Sequence, residues 1–246
     1  MRRRRTSNGA AAGASFDGMC GRYTLTNPDP ARLRARFDLL GSLEQVEPPR
    51  FNIAPTDPVL AVRRRDGARD LGRLRWGLVP GGWAEGKGAR PLINARAESL
   101  ATQPAFAESF RERRCLIPAD GFYEWLSDER GKRPVWLSRP DRELFGFAGI
   151  WAELARGDEV LHSCAIVTCA PNRTLQPIHD RMPVVLDPDS EDTWLDPERS
   201  AQELIRLLVP APDEALVGLE VSDLVNDVRE DGPALLKPRE DQAALL

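Results

Sequence analysis

The feature that most constrains the fold is a series of short apolar runs joined by brief polar turns. Apolar runs of this length, rich in branched and aromatic side chains, are typical of strands. Turns such as Asp66-Gly67 and Arg156-Gly157-Asp158 leave no room for a crossover helix and favour antiparallel hairpins. The strands predicted in this way cover Val59 to Arg65, Leu71 to Leu78, Cys115 to Leu126, Pro134 to Ser138, Leu144 to Leu154 and Val160 to Ala170.

Helical segments are fewer. They are predicted over Pro28 to Leu40 after the possible cap Asn27, over Pro104 to Glu112 and over Ala201 to Leu208. No internal repeat and no long linker interrupts residues 20 to 238. The pattern predicts an α+β fold, in which a single domain has a largely antiparallel β core, either a sheet or a partly closed barrel, with peripheral helices.

Length and composition indicate a soluble globular protein. The 246 residues are enough for one domain with a sizeable core, and 41% are hydrophobic while 29% are charged. No apolar run approaches the roughly eighteen residues that a membrane span needs. We expect a cytoplasmic protein.

The two ends of the chain are expected to lie outside the domain. The first eighteen residues open with four arginines, but their Ala/Gly stretch is too short and too weakly apolar for a secretory signal. They predict either a disordered leader or a start codon placed too far upstream, with Met19 as the true start. The domain is expected over residues 19 to 238, and residues 239 to 246 form a tail.

Four cysteines, Cys20, Cys115, Cys164 and Cys169, show neither a C-x-x-C pair nor the density of a disulfide scaffold. With only two histidines in the chain, they also argue against a structural zinc site, and we expect neither a metal nor another cofactor. This usage fits a reducing compartment. Cys115 and Cys164 lie in apolar runs, so they are predicted to be core residues.

Charge is distributed unevenly along the chain. The net charge is -4, yet residues 1 to 120 hold 21 Lys and Arg against 13 Asp and Glu, whereas residues 121 to 246 hold 13 against 25. The basic half is suited to phosphate contacts. On charge alone, a solvated surface without a partner explains this distribution at least as well as phosphate binding does.

Cys20 differs from the other cysteines because it directly follows Met19 and precedes the small residue Gly21. Removal of Met19 would place a free α-amine beside the thiol. An amine condenses with an aldehyde to a Schiff base, and a neighbouring thiol can then close a five-membered thiazolidine. With reference pKa values of about 7.7 for an α-amine and about 10.4 for lysine, roughly a third of the α-amine is neutral near pH 7.4, against roughly a thousandth of a lysine.

An ordered set of segments resembles the SOS response-associated peptidase (SRAP) family, from Met19 to about Pro238. The segments are M-C-G-R-Y-T at Met19 to Thr24, F-N-I-A-P-T at Phe51 to Thr56, R-W-G-L-V-P at Arg75 to Pro80, I-N-A-R-A-E at Ile93 to Glu98, C-L-I-P-A-D-G-F-Y-E-W at Cys115 to Trp125, F-A-G-I-W at Phe147 to Trp151, H-D-R-M-P-V at His179 to Val184 and V-N-D-V-R-E-D-G-P at Val225 to Pro233.

The resemblance implies covalent capture of abasic sites in single-stranded DNA. The family joins its N-terminal cysteine to the ring-opened sugar aldehyde as a thiazolidine, which shields the lesion. Carried over, Cys20 is the nucleophile and Glu124 the general acid/base, helped by a raised pKa if it is buried between its neighbours. Asn94 orients the sugar and the adduct, and His179 assists proton transfer.

The same resemblance implies a DNA-binding surface on a protein that we expect to be monomeric and associated with the nucleoid when bound. Arginine suits this surface because its planar fork binds phosphate oxygens in pairs. Trp76 is interpreted as an aromatic of the site's wall or its stacking surface. The implied DNA-binding residues are Arg22, Asn52, Pro55, Trp76, Arg96, Trp125 and Arg181.

Two alternatives remain open at this point. An autoproteolytic thiol peptidase would use Cys20, Glu124 and His179 as nucleophile, orienter and base. A noncovalent single-strand binder would depend on the basic surface and tryptophans alone. The crosslinker differs from both in needing a free amine on Cys20, so a retained leader would abolish it.

Overall fold

The computed structural model describes residues 21–44, 46, 48–80 and 91–239. The predicted leader, Cys20 and nearly all of the predicted tail lie outside these ranges. The strands are β1 (Arg22–Leu25), β2 (Arg50–Ile53), β3 (Pro58–Arg65), β4 (Ala68–Trp76), β5 (Asn94–Arg96), β6 (Arg114–Ala119), β7 (Gly121–Asp128), β8 (Gly131–Ser138), β9 (Phe145–Arg156), β10 (Glu159–Cys169), β11 (Met182–Pro183), β12 (Val185–Leu186) and β13 (Val217–Glu220). The helices are α1 (Pro30–Phe37), α2 (Pro104–Glu112), α3 (Pro188–Leu195) and α4 (Ala201–Arg206).

Five strands close into a barrel. Their order is β10-β4-β3-β6-β9, and β9 pairs with β10 to complete the ring. All pairings are antiparallel except that of β4 with β10. Closure leaves the barrel without an open edge, since every strand has two neighbours. The predicted α+β fold with a mainly antiparallel core is therefore confirmed, and the barrel is fully closed.

A second, five-stranded antiparallel sheet lies beside the barrel in the order β13-β8-β7-β1-β2. The prediction of one strand from Cys115 to Leu126 is wrong, because this run supplies β6 of the barrel and β7 of the second sheet. The chain passes between them at Asp120. Its carboxylate accepts hydrogen bonds from the Thr24 hydroxyl at 2.6 Å and from the Thr26 backbone and hydroxyl at 2.6 and 2.7 Å.

Aromatic side chains join the barrel and the second sheet in one core. The ring of Phe147 on β9 meets Tyr23 on β1 edge to face, with 5.9 Å between centroids, and Phe122 on β7 in the same way at 5.9 Å. All three rings are buried. Cys115 and Cys164 are fully buried as well, as the sequence predicts.

The helices follow the predictions in part. Helix α2 has the predicted bounds, whereas α1 begins later than predicted because its cap is Asp29, which accepts a hydrogen bond from the Arg32 backbone at 2.9 Å, and not Asn27. Helix α3 was not predicted. Its start was readable, since Asp187 caps it and Pro188 occupies the first turn. No helix in the described ranges combines the length and apolar character needed to cross a membrane.

A buried carboxylate fastens α3 to α1 and the barrel. Glu191 on α3 is fully buried and accepts two hydrogen bonds from the Arg36 guanidinium on α1, at 2.7 and 2.9 Å. Arg69 on β4 approaches the same carboxylate at 3.5 Å and donates to the Phe37 carbonyl at 3.2 Å. Removing this carboxylate would leave the partly buried guanidinium groups of Arg36 and Arg69 without their shared acceptor.

We predict that Glu191→Ala lowers the free energy of unfolding by about 3–5 kcal/mol, because it breaks a buried ion pair and leaves the cations behind. Urea unfolding followed by circular dichroism measures the change. Glu143→Ala is the matched control, since the Glu143 pair with Arg32 is exposed and is worth no more than about 1 kcal/mol. Equal losses in the two variants would contradict the structural role of Glu191.

Candidate functional site

The described chain begins beside a strand that carries a buried glutamate. Gly21 leads directly into β1, and Arg22 pairs with Tyr123 on β7. Glu124 follows on β7 and is only 3% exposed. Cys20 itself lies outside the described residues, but it immediately precedes this pairing in the sequence.

Strand alternation places Glu124 on the face of the second sheet that is turned toward the barrel. Phe122 and Leu126, on the same side of β7 as Glu124, pack in the core that includes the barrel. Tyr123 and Trp125 pack on the opposite face, in a smaller cluster with Val225. The burial expected for Glu124 is therefore present, between the two sheets.

A first group of polar residues lies on the outer face of the second sheet. Arg22 donates from Nη1 to the Asn52 side-chain oxygen at 3.0 Å and also to the Val225 carbonyl. Its guanidinium carbon lies 5.7 Å from the centre of the Trp125 ring. The Trp125 indole N–H donates to the Asn226 side-chain oxygen at 2.8 Å.

A second group surrounds the end of β10, where this strand runs past the barrel. β5 pairs with it in parallel, so that Asn94 lies opposite Ile166 and Arg96 opposite Thr168. Asn94 is buried at 6% exposure, whereas Arg96 is exposed. The backbone therefore presents a buried amide and an exposed cation two residues apart.

His179 joins this second group through a turn that leads into β11. Its Nδ1 lies 2.9 Å from the Arg181 backbone nitrogen and 3.1 Å from an Asp180 carboxylate oxygen. These contacts require opposite states of Nδ1, which accepts in the first and donates in the second. The backbone amide always carries its hydrogen, so Nδ1 is the acceptor and the neutral ring carries its proton on Nε2. Nε2 is then the nitrogen left for proton transfer.

Arg181 is held by acceptors of the protein itself. Its two terminal nitrogens donate to the two oxygens of Glu98 at 2.7 and 2.9 Å, and one of them also donates to the Thr168 carbonyl at 2.6 Å. The hydrogen bonds from Arg181 lower the pKa of Glu98 below its ordinary value. A phosphate could bind this fork only by replacing Glu98.

The two groups are connected through Trp76. Tyr23 of β1 meets the Trp76 ring edge to face at 5.4 Å, and the Trp76 indole donates to the carbonyl of Ile93, directly before Asn94, at 2.9 Å. Trp76 is only 1% exposed. Its interpretation as a stacking surface for bases does not fit this burial, because no ring face is accessible, and its place in the wall of the site stays a prediction.

Asn52 also differs from its interpretation as a residue of the DNA channel. It is 1% exposed, and its amide group is directed at backbone carbonyls near the C-terminus. Pro55 is half-buried in the loop from β2 to β3, beside Thr56, whose backbone N–H donates to the Trp76 carbonyl at 2.7 Å. Sequence reasoning assigned no role to Glu98 or Asn226, although both lie within quoted motifs.

Comparison with known proteins identifies the family. A profile described as SOS response associated peptidase (SRAP) matches residues 19–228, most of the chain. The chain belongs to this family. The resemblance seen in the sequence is thereby confirmed.

Curated relatives of this SRAP chain come from bacteria and vertebrates. It is 35% identical over 223 residues to the abasic site processing protein YoqW of Bacillus subtilis, covering 89% of this chain and 99% of that protein. It is 33% identical over 233 residues to the abasic site processing protein YedK of Escherichia coli (89% and 100% covered). Identity to the abasic site processing protein HMCES of Gallus gallus is 32% over 269 residues (90% and 78% covered).

Solved structures share the fold. A protein from Bacteroides thetaiotaomicron superposes with a TM-score of 0.79 at 21% identity, covering 89% of this chain and all of that one. A phage-related protein from Bordetella bronchiseptica superposes with a TM-score of 0.66 at 31% identity, covering 82% of this chain and 94% of that one.

The other cysteines of this SRAP chain are packing residues. Burial raises the pKa of the Cys115 thiol and that of the Cys169 thiol to about 12, and it also raises the pKa of the Cys164 thiol well above its ordinary value. Within the described ranges, no three His, Cys, Asp or Glu side chains are grouped as a metal site would require.

We predict that iodoacetamide at pH 8 leaves Cys115, Cys164 and Cys169 unmodified in the native protein. A raised pKa keeps a thiol protonated, and a value of about 12 leaves roughly one thiolate in ten thousand at this pH. Peptide mass spectrometry locates the label, and alkylation in guanidinium chloride is the control in which all three react. Rapid native labelling of any of the three would contradict their assignment to the core.

Proposed function

We propose that this chain processes abasic sites in single-stranded DNA by covalent capture at Cys20, once Met19 and everything before it have been removed. The observation that carries the proposal is the pairing of Arg22, two residues after Cys20 in the sequence, with Tyr123, the neighbour of the buried Glu124. The printed names of three relatives, all abasic site processing proteins, support the same substrate.

The chemistry requires no oxidant or cofactor. The neutral α-amine of Cys20 adds to the C1′ aldehyde of the opened sugar and gives a carbinolamine. Loss of its hydroxyl as one water forms the imine. The thiol then adds across the C=N bond, with sulfur joining carbon and its proton passing to nitrogen, and the thiazolidine ring is complete.

Glu124, Asn94 and His179 are assigned the accompanying steps. Glu124 gives a proton to the departing hydroxyl and accepts one during ring opening, a task for which a buried carboxyl is suited. Asn94 orients the sugar by hydrogen bonding. His179 donates or accepts at Nε2, because the Arg181 backbone occupies Nδ1.

The bound strand is proposed to follow the exposed cation Arg96 and the ring of Trp125. Trp125 is partly accessible, and the Lys132 ammonium lies 5.9 Å from its ring centre, so the indole offers an aromatic face beside positive charge. Arg181 would contribute only by exchanging Glu98 for phosphate. We propose that the protein acts as a monomer in the cytoplasm and is associated with the nucleoid when bound.

We predict that the chain beginning at Cys20 forms a heat-stable adduct with a single-stranded oligonucleotide containing an abasic site, and none with the undamaged oligonucleotide. Denaturing gels after heating, without borohydride, measure the adduct. Cys20→Ser is the matched variant, because its amine still forms an imine but its hydroxyl closes the ring much less favourably.

A chain with a retained, uncleavable leader is the second control, since an amide nitrogen cannot form an imine. It should bind single strands and leave no adduct on the gel. The thiazolidine assignment is wrong if Cys20→Ser equals the parent chain, or if mass spectrometry finds residues 1 to 20 intact within the adduct.

A thiol peptidase acting on its own leader is the second candidate, favoured by the description of the matching family as a peptidase. It would use Cys20, Glu124 and His179 without needing a free amine. Full-length Cys20→Ala protein distinguishes the two activities, because it keeps the leader only if removal is autoproteolytic.

We predict that Arg96→Ala weakens noncovalent binding to single strands and reduces the slope of log K against log salt by about 0.7, the loss of one phosphate contact. Fluorescence anisotropy of the Cys20→Ser protein from 50 to 300 mM salt measures the slope without crosslinking. Arg199→Ala is the control, since this exposed arginine pairs with Asp196 and Glu203 between α3 and α4. Equal slopes in the two variants would remove Arg96 from the DNA path.

A further inference from the structure

The last segment of the domain packs on the outer face of the second sheet. We call residues 222–239 the C-terminal arm; it has two 3-10 turns, Asp223–Asn226 and Pro233–Leu236. Val225 and Leu235 are buried against Tyr123 and Trp136 of the sheet. The arm thus covers the side of β7 opposite to Glu124.

The buried side-chain amide of Asn52 contacts three carbonyl groups of the arm. Asn52 on β2 places Nδ2 at 3.0 Å from the Asp227 carbonyl, 2.9 Å from the Glu230 carbonyl and 3.3 Å from the Val225 carbonyl. Its Oδ1 accepts from Arg22. The opposite amide orientation would direct an oxygen at three carbonyl oxygens and a nitrogen at a guanidinium, so the orientation is unambiguous.

The arm also contacts the residues next to Cys20 and Glu124 in sequence. Arg22, two positions after Cys20, donates to the Val225 carbonyl, and Trp125, directly after Glu124, donates to Asn226. Asp231 adds a second attachment to β2, where it accepts from the Phe51 backbone and the Arg50 guanidinium, both at 2.5 Å. Loss of the arm would therefore remove contacts from β1, β2 and β7 at the same time.

We propose that Asn52 is a positioning residue that clasps the C-terminal arm onto β1, β2 and β7 and thereby fixes β1, the strand that follows Cys20 in the sequence, relative to Glu124 on β7. This inference rests on the proposed crosslinking function. It reassigns Asn52 from DNA contact to alignment of the reacting groups, and it gives the V-N-D-V-R-E-D-G-P motif the role of the segment that Asn52 holds. Alignment within an ångström is worth large factors in rate, whereas strand affinity depends on other residues.

The test uses Asn52→Asp in the chain that begins at Cys20. The substitution keeps the shape and the acceptor for Arg22, but it removes both N–H donors and sets a carboxylate against carbonyl oxygens. We expect the crosslinking rate at saturating abasic DNA to fall by about 10- to 100-fold. The DNA concentration for half-saturation should change by less than about twofold, because no DNA contact is lost.

Opening of the arm is measured separately by trypsin. Arg229 lies in the arm and is 85% exposed, so cleavage after it should become about tenfold faster in Asn52→Asp. Glu220→Gln is the matched control, since Glu220 is a buried partner of Arg133 in the same sheet, at 3.1 Å, outside the clasp. It should lose stability but keep the saturating rate.

If Asn52→Asp does not fold, Asn226→Ala tests the attachment of the arm to β7 in its place. Asn226 is exposed, so the substitution should be tolerated, and it removes only the acceptor of the Trp125 indole. A reduced saturating rate supports the clasp, and an unchanged one overturns it. A parental saturating rate in folded Asn52→Asp, a loss confined to half-saturation, or unchanged cleavage after Arg229 also overturns it. Failure of the parent chain to form any adduct refutes the crosslinking function instead. The rate of trypsin cleavage after Arg229 still tests whether Asn52 holds the arm.

Discussion

The pairing of β9 with β10 is the interaction on which the rest of the structure depends. It runs through eight consecutive residue pairs, from Glu159 with Arg156 to Ile166 with Gly149, and closes the barrel. The last residues of β10 have other neighbours. From Ile166 onward, β10 pairs with β5 on the edge that β4 occupies earlier. At Thr168 and Cys169 it pairs with β11 on the edge that β9 occupies earlier.

The end of β10 thus has two neighbours from distant parts of the sequence: β5, which carries Asn94 and Arg96, and β11, which follows the turn at His179. The change of neighbour from β4 to β5 requires the chain to leave the barrel at Gly77, whose φ of 125° suits only glycine. A Cβ there would approach the Pro91 side chain at 2.7 Å. The arrangement of the second group therefore depends on the change of neighbours along β10.

The sequence allowed most barrel strands to be predicted because apolar residues recur along them, either in a run, as in β9, or at alternate positions, as in much of β4. The second sheet was harder. β1, β2 and β13 have four residues each, too few to show a period, and the boundary between β6 and β7 depends on hydrogen bonds from Thr24 and Thr26, nearly a hundred residues away. The bend at Asp120 is fixed by these tertiary contacts.

Sequence motifs could nominate candidate site residues, but they could not predict how the fold arranges them. Motif resemblance selects Asn52 and Trp76 as easily as Asn94, because fixed packing residues and reacting residues look alike in one sequence. The hydrogen bonds of Asn52 and Trp76 show how these two side chains are used. Trp76 and Asn52 are nearly inaccessible and use their polar atoms on backbone carbonyls, which are contacts of a scaffold and not of a ligand surface.

The two faces of β7 pack against different parts of the protein. Its inner face carries Glu124 toward the barrel, while its outer face packs Tyr123 and Trp125 on the C-terminal arm. Packing on both sides of a strand restricts how far the strand can shift or twist, and it therefore restricts the position of a carboxyl that the strand carries. The arm supplies the outer packing, and the aromatic contacts of Phe122 and Tyr23 supply the inner one. The end of the sequence therefore supports the strand that carries Glu124.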